Sequence, residues 1–177
     1  LRAHVETQDE IGLLSTRFNE MLTRVQLHDN ELGAELRERK LTEERLDFLA
    51  HYDPITNLPN RRFFSARVDQ LSLQAREKNI QCGLILVDLD NFKVINDNLG
   101  HQIGDLLLSA VATRLRFLMR PIDVVSRIGG DEFAILLEAL KSPQDTGIVA
   151  EKIIQSLASP FKVNDHEIYV HASIGIA

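Results

Sequence analysis

The apolar run from Gly83 to Val87 ends in Asp88-Leu89-Asp90, and a second acidic pair, Asp131-Glu132, follows the glycines Gly129 and Gly130. Carboxylates two positions apart, just past a buried strand, can hold a hard divalent cation such as Mg²⁺ or Mn²⁺ against substrate phosphates. A solvated strand end accounts for Asp88 and Asp90 equally well. The second pair is harder to explain as a turn, which needs one glycine and no acids; two glycines also let a bulky ligand approach the backbone. If the pairs lie side by side, Asp88 and Asp131 can ligate one or two metals together, as in phosphoryl and nucleotidyl transfer. Asn96 and Asp105, nine residues apart, flank Gly100-His101. An amide with a carboxylate can read the N–H donors of a guanine edge; without that role, Asn96 is a helix-end residue and Asp105 an N-cap. Lys93 is placed to reach phosphate oxygens, or is simply an exposed lysine.

The elements that must position these groups follow from periodicity and punctuation. Gly83 to Leu89 is rich enough in Ile, Leu and Val for a buried strand. Phe63 to Lys78 reads as a helix, Asn91 to Leu99 as a short helix closed by Gly100, and Asp105 to Met119 as a longer one with Leu107, Val111, Leu115 and Leu118 on one face. Asp123 to Ile128 and Phe133 to Leu137 form a hairpin around Gly129-Gly130-Asp131-Glu132. Thr146 to Leu157 is helical, and Glu167 to Ile176 alternates as a strand. This order predicts helices packed on a largely antiparallel sheet, in the α+β or α/β class.

Before His51 the character differs. The first fifty residues contain no proline, and Leu14, Phe18, Met21, Val25, His28 and Leu32 step by 4,3,4,3,4, the seam of a helix facing a partner helix. After Leu36 the leucines at 41, 46 and 49 leave that register, so the coil shifts or loosens. Turn chemistry begins at Asp53-Pro54 and Asn57-Leu58-Pro59-Asn60, which sets the expected domain boundary at 50/51.

The 177 residues are 44% apolar, enough for a core, and 20 Lys+Arg against 26 Asp+Glu leave a net charge of -6 without any basic block. Sequence-independent nucleic-acid binding is therefore not expected. One cysteine, Cys82, excludes an intramolecular disulfide and a Cys-based zinc site and is consistent with a reducing compartment. No apolar stretch reaches the roughly 20 residues of a membrane helix.

Three ordered segments together resemble the GGDEF family of diguanylate cyclases: Asp53-Pro54-Ile55-Thr56-Asn57-Leu58-Pro59-Asn60-Arg61-Arg62; Asp88-Leu89-Asp90-Asn91-Phe92-Lys93-Val94-Ile95-Asn96-Asp97 with Gly100-His101 and Gly104-Asp105; and Arg127-Ile128-Gly129-Gly130-Asp131-Glu132-Phe133. The resemblance implies an α+β fold with a sheet like those of nucleotidyl cyclases and polymerase palms, and condensation of two GTP into cyclic di-GMP and two pyrophosphates. It implies Asp88, Asp131 and the Leu89 carbonyl as ligands of Mg²⁺ or Mn²⁺, Asn96 and Asp105 as guanine readers, His101, Gly129 and Gly130 lining the nucleotide pocket, and Lys93 facing the phosphates. Asp131 or Glu132 assists deprotonation of the ribose 3′-hydroxyl. Each domain holds one GTP, so two must face each other, as a homodimer paired through the stalk. Arg120-Pro121-Ile122-Asp123 matches the family's inhibitory product site; on composition alone it is a helix-terminal cation followed by a proline turn.

Residues 1–27, with Asp9-Glu10-Ile11-Gly12-Leu13-Leu14 and Phe18-Asn19-Glu20-Met21-Leu22, resemble the second helix of a HAMP signal relay, with 28–50 a coiled-coil linker and 51–177 the cyclase domain. That implies the cytoplasmic portion of an inner-membrane sensor. Leu1 is not a Met and the chain stops inside an apolar run, so a C-terminally truncated domain is expected, with its activity in question. A second reading is a regulatory module that senses GTP or cyclic di-GMP and controls a downstream EAL phosphodiesterase.

Overall fold

The computed structural model describes residues 10–78 and 80–177; the HAMP-like segment at 1–27 therefore begins, with Asp9, outside the described residues. The chain divides into two units between Asp47 and Phe48. The first consists of most of helix α1 (Glu10–His51). Its seam is uncovered: Leu14, Phe18, Met21, Val25 and Leu32 are all exposed, Leu14 by 71%. Around it run short-range ion pairs, Arg17 with Glu20, Arg39 with Glu43 and Lys40 with Glu44, which add only tenths of a kcal/mol each, about 0.3–0.5. An isolated helix with an apolar stripe gains most of its stability from whatever covers that stripe.

The second unit is built on a four-stranded antiparallel sheet of order β2-β3-β1-β6. Its elements are α2 (Arg61–Lys78), β1 (Gln81–Leu89), α3 (Phe92–Leu99), α4 (His101–Leu118), β2 (Val124–Arg127), β3 (Glu132–Leu140), α5 (Gln144–Leu157), β4 (Phe161–Val163), β5 (His166–Ile168) and β6 (Ala172–Ile176). The sheet is covered on both faces. Ile85, Val87 and Leu89 of β1 and Phe133, Ile135 and Leu137 of β3 meet Leu107, Val111 and Leu115 of α4 and Ile153 and Leu157 of α5. Ala134 and Leu136 meet Phe64 and Leu71 of α2 on the other face. The alternation along β1 and β3 is what splits the two cores.

Two expectations are corrected. Helix α4 begins at His101 rather than Asp105, so Asp105 is its fifth residue and not an N-cap; Gly100 occupies that position with no side-chain cap. The run from Glu167 to Ile176 is two strands in two sheets. β5 pairs with β4, for which no element is expected above, and β6 pairs with the edge of β1. Val170 is buried between them, so the alternating pattern continued through a change of partner.

Candidate functional site

The adjoining ends of β1 and β3 bring the two acidic pairs together. Asp88 is the register partner of Glu132, and the Leu89 N–H donates to the Asp131 carbonyl at 3.2 Å. On the other side Asp88 faces Ser173 of β6, whose Oγ donates to Asp90 Oδ1 at 2.7 Å. The Asp88 carboxyl is pushed up from its ordinary 3.8, first by desolvation and then by the negative charge of Asp131, Glu132 and Asp90. That accumulated charge fits a divalent cation. Among the described residues no three His, Cys, Asp or Glu side chains close a complete ligand set, so Asp88 and Asp131 would need backbone carbonyl and nucleotide oxygens to complete one.

Glu132 is drawn to one side. Its carboxylate lies where a Cβ on Gly129 would stand, and Arg61 Nη2 approaches its Oε2 at 3.7 Å. A Cβ on Gly129 would therefore displace the Glu132 carboxylate from this position, while a Cβ on Gly130 would meet open space. A cavity of about 400 Å³ runs beside the pair, lined by Asp88, Glu132, Ile128 and Ser173 among others.

The hairpin turn is held from behind by Asp53, Thr56, Arg61 and Arg127, which belong to the first and third motif segments. Arg127 Nη1 donates to both oxygens of Asp53, at 3.0 and 3.1 Å, while its Nε and Nη2 donate to the Gly130 carbonyl at 3.2 and 2.7 Å. Asp53 also accepts from Thr56 N–H and Oγ1–H, at 2.9 and 2.7 Å. Burial works to raise the Asp53 carboxyl, but the bonds from Thr56 and Arg127 outweigh it and hold the group below 3.8. The Arg127 N–H continues the clamp by donating to the Pro59 carbonyl at 3.0 Å, and Arg61 Nε donates to the Ile128 carbonyl at 2.9 Å. The signal that could have found this was the Asp53-x-x-Thr56 spacing of a side-chain-closed turn.

Lys93 and Asn96 lie on α3, and His101 and Asp105 on α4, joined by Gly100 at φ 87°. Such a φ strains any residue with a Cβ. Asn96 Oδ1 is buried without a hydrogen-bond partner, directly over Gly104, where a Cβ would collide with it. A buried acceptor left unpaired costs about 1–3 kcal/mol, so this atom fits a donor brought by a ligand. Lys93, His101 and Asp105 are exposed on the same two helices and hold no ion pair among the described residues.

Arg120 and Asp123 are not with this group. They form a fork after α4, Nε to Oδ2 at 2.9 Å and Nη2 to Oδ1 at 2.6 Å, with Asp123 4% exposed. Their other partner is Glu138, six residues along β3 from Glu132, which at the rise of a strand is about 20 Å away.

An antiparallel sheet with paired carboxylates at a strand end and a glycine-led turn is compatible with a site that holds a metal and nucleotide phosphates, and comparison with known proteins supplies the class. The chain belongs to the family described as diguanylate cyclase, GGDEF domain, whose model matches residues 50–177. Diguanylate cyclase TpbB of Pseudomonas aeruginosa PAO1 is 37% identical over 169 residues, 95% of this chain and 37% of its own length. A bifunctional diguanylate cyclase/cyclic di-GMP phosphodiesterase of the same strain, MucR, is 43% identical over 129 residues, 73% of this chain and 19% of its own. The chain thus spans well under half the length of these relatives. A delta-N mutant of TpbB comprising only the GGDEF domain superposes with a TM-score of 0.69 at 42% identity, covering 71% of this chain and 74% of that one. The coiled coil and GGDEF domain of DgcB from Caulobacter crescentus, in complex with c-di-GMP, gives 0.70 at 26% identity, covering 86% and 81%. No helix among the described residues is long and apolar enough to cross a membrane.

Proposed function

We propose that residues 48–177 condense two GTP molecules into cyclic di-GMP and two pyrophosphates, two copies contributing one nucleotide each. The observation that carries this is the pairing of Asp88 with Glu132 beside Asp131, at strand ends where negative charge has gathered with Arg61, 3.7 Å from Glu132, as its one ion-pair partner among the described residues. Asp88, Asp131 and the Leu89 carbonyl would hold Mg²⁺ or Mn²⁺, which supplies neutralisation of phosphate charge. Asn96 Oδ1 accepts a guanine N–H and Asp105 pairs with a second donor of the same edge; adenine offers neither in that form. Lys93 faces the phosphates and stabilises charge that develops on them. Asp131, or Glu132 once released from Arg61, takes the ribose 3′-hydroxyl proton. Because each hydroxyl attacks the other nucleotide's α-phosphate, much of the rate comes from holding two half-sites together.

The exposed seam of α1 supports pairing of two chains through the stalk, which raises the effective concentration of one domain near its partner. In this reading the segment at 1–27 is the end of a HAMP relay in a membrane-anchored parent, with 28–50 as linker, and Arg120 with Asp123 binds product and restrains the enzyme. A second reading has specific support: several relatives are named as phosphodiesterases or bifunctional proteins, among them PdeR of Escherichia coli and NbdA of Pseudomonas aeruginosa. In this second reading the domain of this chain binds GTP or cyclic di-GMP and regulates an EAL phosphodiesterase domain downstream of it. Incubating the chain at concentrations that allow pairing, with GTP and Mg²⁺, and resolving the products separates the two. Cyclic di-GMP with two pyrophosphates supports the cyclase; tight nucleotide binding without turnover supports the sensor.

A further inference from the structure

Glu138 is a buried carboxylate, 6% exposed, touched by two guanidiniums for different reasons. Strand β2 begins only at Val124, so the Glu138 N–H and C=O have no strand partner. Asp123 Oδ1 accepts from that N–H at 3.3 Å, and Arg120 Nη2 donates to that carbonyl at 2.8 Å. The R-x-x-D fork thereby extends the ladder past the end of β2. Its geometry depends on where Glu138 puts its main chain, at a bulge where β3 sets two residues against Cys82 and Ala139 takes a φ of 51°.

The side chain of Glu138 goes elsewhere. From α2, Arg67 Nε donates to Oε1 at 2.8 Å and Nη2 donates to the same oxygen, while Arg67 Nη1 is steadied by Gln70 Oε1 at 3.0 Å. Arg120 uses Nε on Asp123 and Nη2 on both Asp123 and the Glu138 carbonyl, which leaves Nη1 without a hydrogen-bond partner among the described residues. Arg120 lines a cavity of about 280 Å³ together with Lys141 and Lys152. A buried carboxylate that loses its cation is strongly unfavourable and takes the next cation within reach. Arg120 already touches the same residue.

We propose that Arg67 is a positioning residue for phosphodiester binding at Arg120: by holding the Glu138 carboxylate on the α2 face, it keeps Arg120 Nη1 free for a phosphate oxygen of cyclic di-GMP. This rests on the reading of Arg120-x-x-Asp123 as the product site, and the test separates the two. Titration calorimetry of cyclic di-GMP into the chain, at a temperature where thermal melts show each variant folded, gives the dissociation constants. Arg67→Met is expected to weaken binding about tenfold, because the freed carboxylate captures Arg120. Arg67→Met combined with Glu138→Gln is expected to return it to within about twofold of the parent, since the competing charge is gone while the main-chain bonds remain. A residue that only props up the fold would lower the melting temperature and leave the constant of the folded protein unchanged. Arg67→Lys, which keeps the charge, serves if Arg67→Met does not fold, and is expected to bind between the parent and Arg120→Ala. Tight binding by Arg120→Ala would sink the product-site reading itself. Loss of binding in Arg120→Ala with parent-like binding in Arg67→Met or Arg67→Lys, or no recovery in the double variant, overturns the role of Arg67 alone.

Discussion

Strand β3 carries a carboxylate near each end, and the two are treated in opposite ways. At Glu132 the neighbours are Asp131 and, across the ladder, Asp88; the charges repel, and only the exposed Arg61 answers them at 3.7 Å. At Glu138 the charge and the main chain are matched: Arg67 holds carboxylate Oε1, Asp123 the N–H, and Arg120 the carbonyl. A fold that pairs a buried acid with a cation at one end has no general difficulty in doing so at the other. The unpaired Asp88 carboxylate and the orphan Asn96 Oδ1 are suited to partners brought by a ligand, as the proposed function requires.

Breaking the acidic end should have the largest effect. Asp131→Asn and Asp88→Asn should each lower cyclic di-GMP formation by at least about 10²-fold, measured as initial rate at saturating GTP and Mg²⁺. Asp88→Asn should also raise the melting temperature of the metal-free chain at neutral pH, because the raised carboxyl penalises the fold when ionised. That penalty is present above the folded pKa and fades as pH falls through it toward 3.8, so the gain from the substitution should fade over the same window. A metal-free melt of Asp88→Asn no higher than the parent's would show that the strand end is an ordinary solvated one.

Next comes the clamp behind the turn. Arg127→Met leaves Asp53 uncompensated and the Gly130 carbonyl without its donors, and should destabilise the second unit by about 3 kcal/mol in urea unfolding. Asp53 has the reverse pH behaviour to Asp88. Its carboxyl is depressed, so its stabilisation is complete above 3.8 and is lost as pH falls through its lower folded value, and Asp53→Asn should remove that acid limb. Equal acid profiles for parent and variant would remove the clamp from the account.

A smaller effect sharpens the orphan acceptor. A Cβ at Gly104 would collide with Asn96 Oδ1, so Gly104→Ala should displace the amide and weaken GTP binding about tenfold with ATP binding unchanged, by competitive fluorescence titration. Equal losses for both nucleotides would mean that Asn96 does not read the base. The smallest change is at the other end of β3: Ala139 sits at φ 51°, where a Cβ is strained, and Ala139→Gly should stabilise the domain by about 0.5–1 kcal/mol in the same unfolding assay. A loss of stability would show that the strain is absent.

Much of this was written in local sequence. Gly83 to Leu89 announces a buried strand because apolar β-formers over that length suit little else, and α3 is bounded by Gly100 because its φ of 87° demands glycine. The acids at 88 and 131, and the glycine at 129 beside the Glu132 carboxylate, are visible as residue types at fixed spacing, and the motifs they form give the family. What the sequence could not decide is anything set by non-local partners. Residues 167–176 kept one alternation while passing from one sheet to another, since a period of two reports burial and not which strand lies alongside. Asp105 looked like a cap because it is an acid directly after Gly104, whereas α4 already begins at His101. The pairing of Asp88 with Glu132, the grip of Arg127 on Asp53 across 74 positions, and the use of Glu138 by both Arg67 and Arg120 exist only once the sheet has formed. Spacing along the chain fixes which chemistry is available; the closure of distant segments onto one another decides which charges are answered and which are left for a ligand.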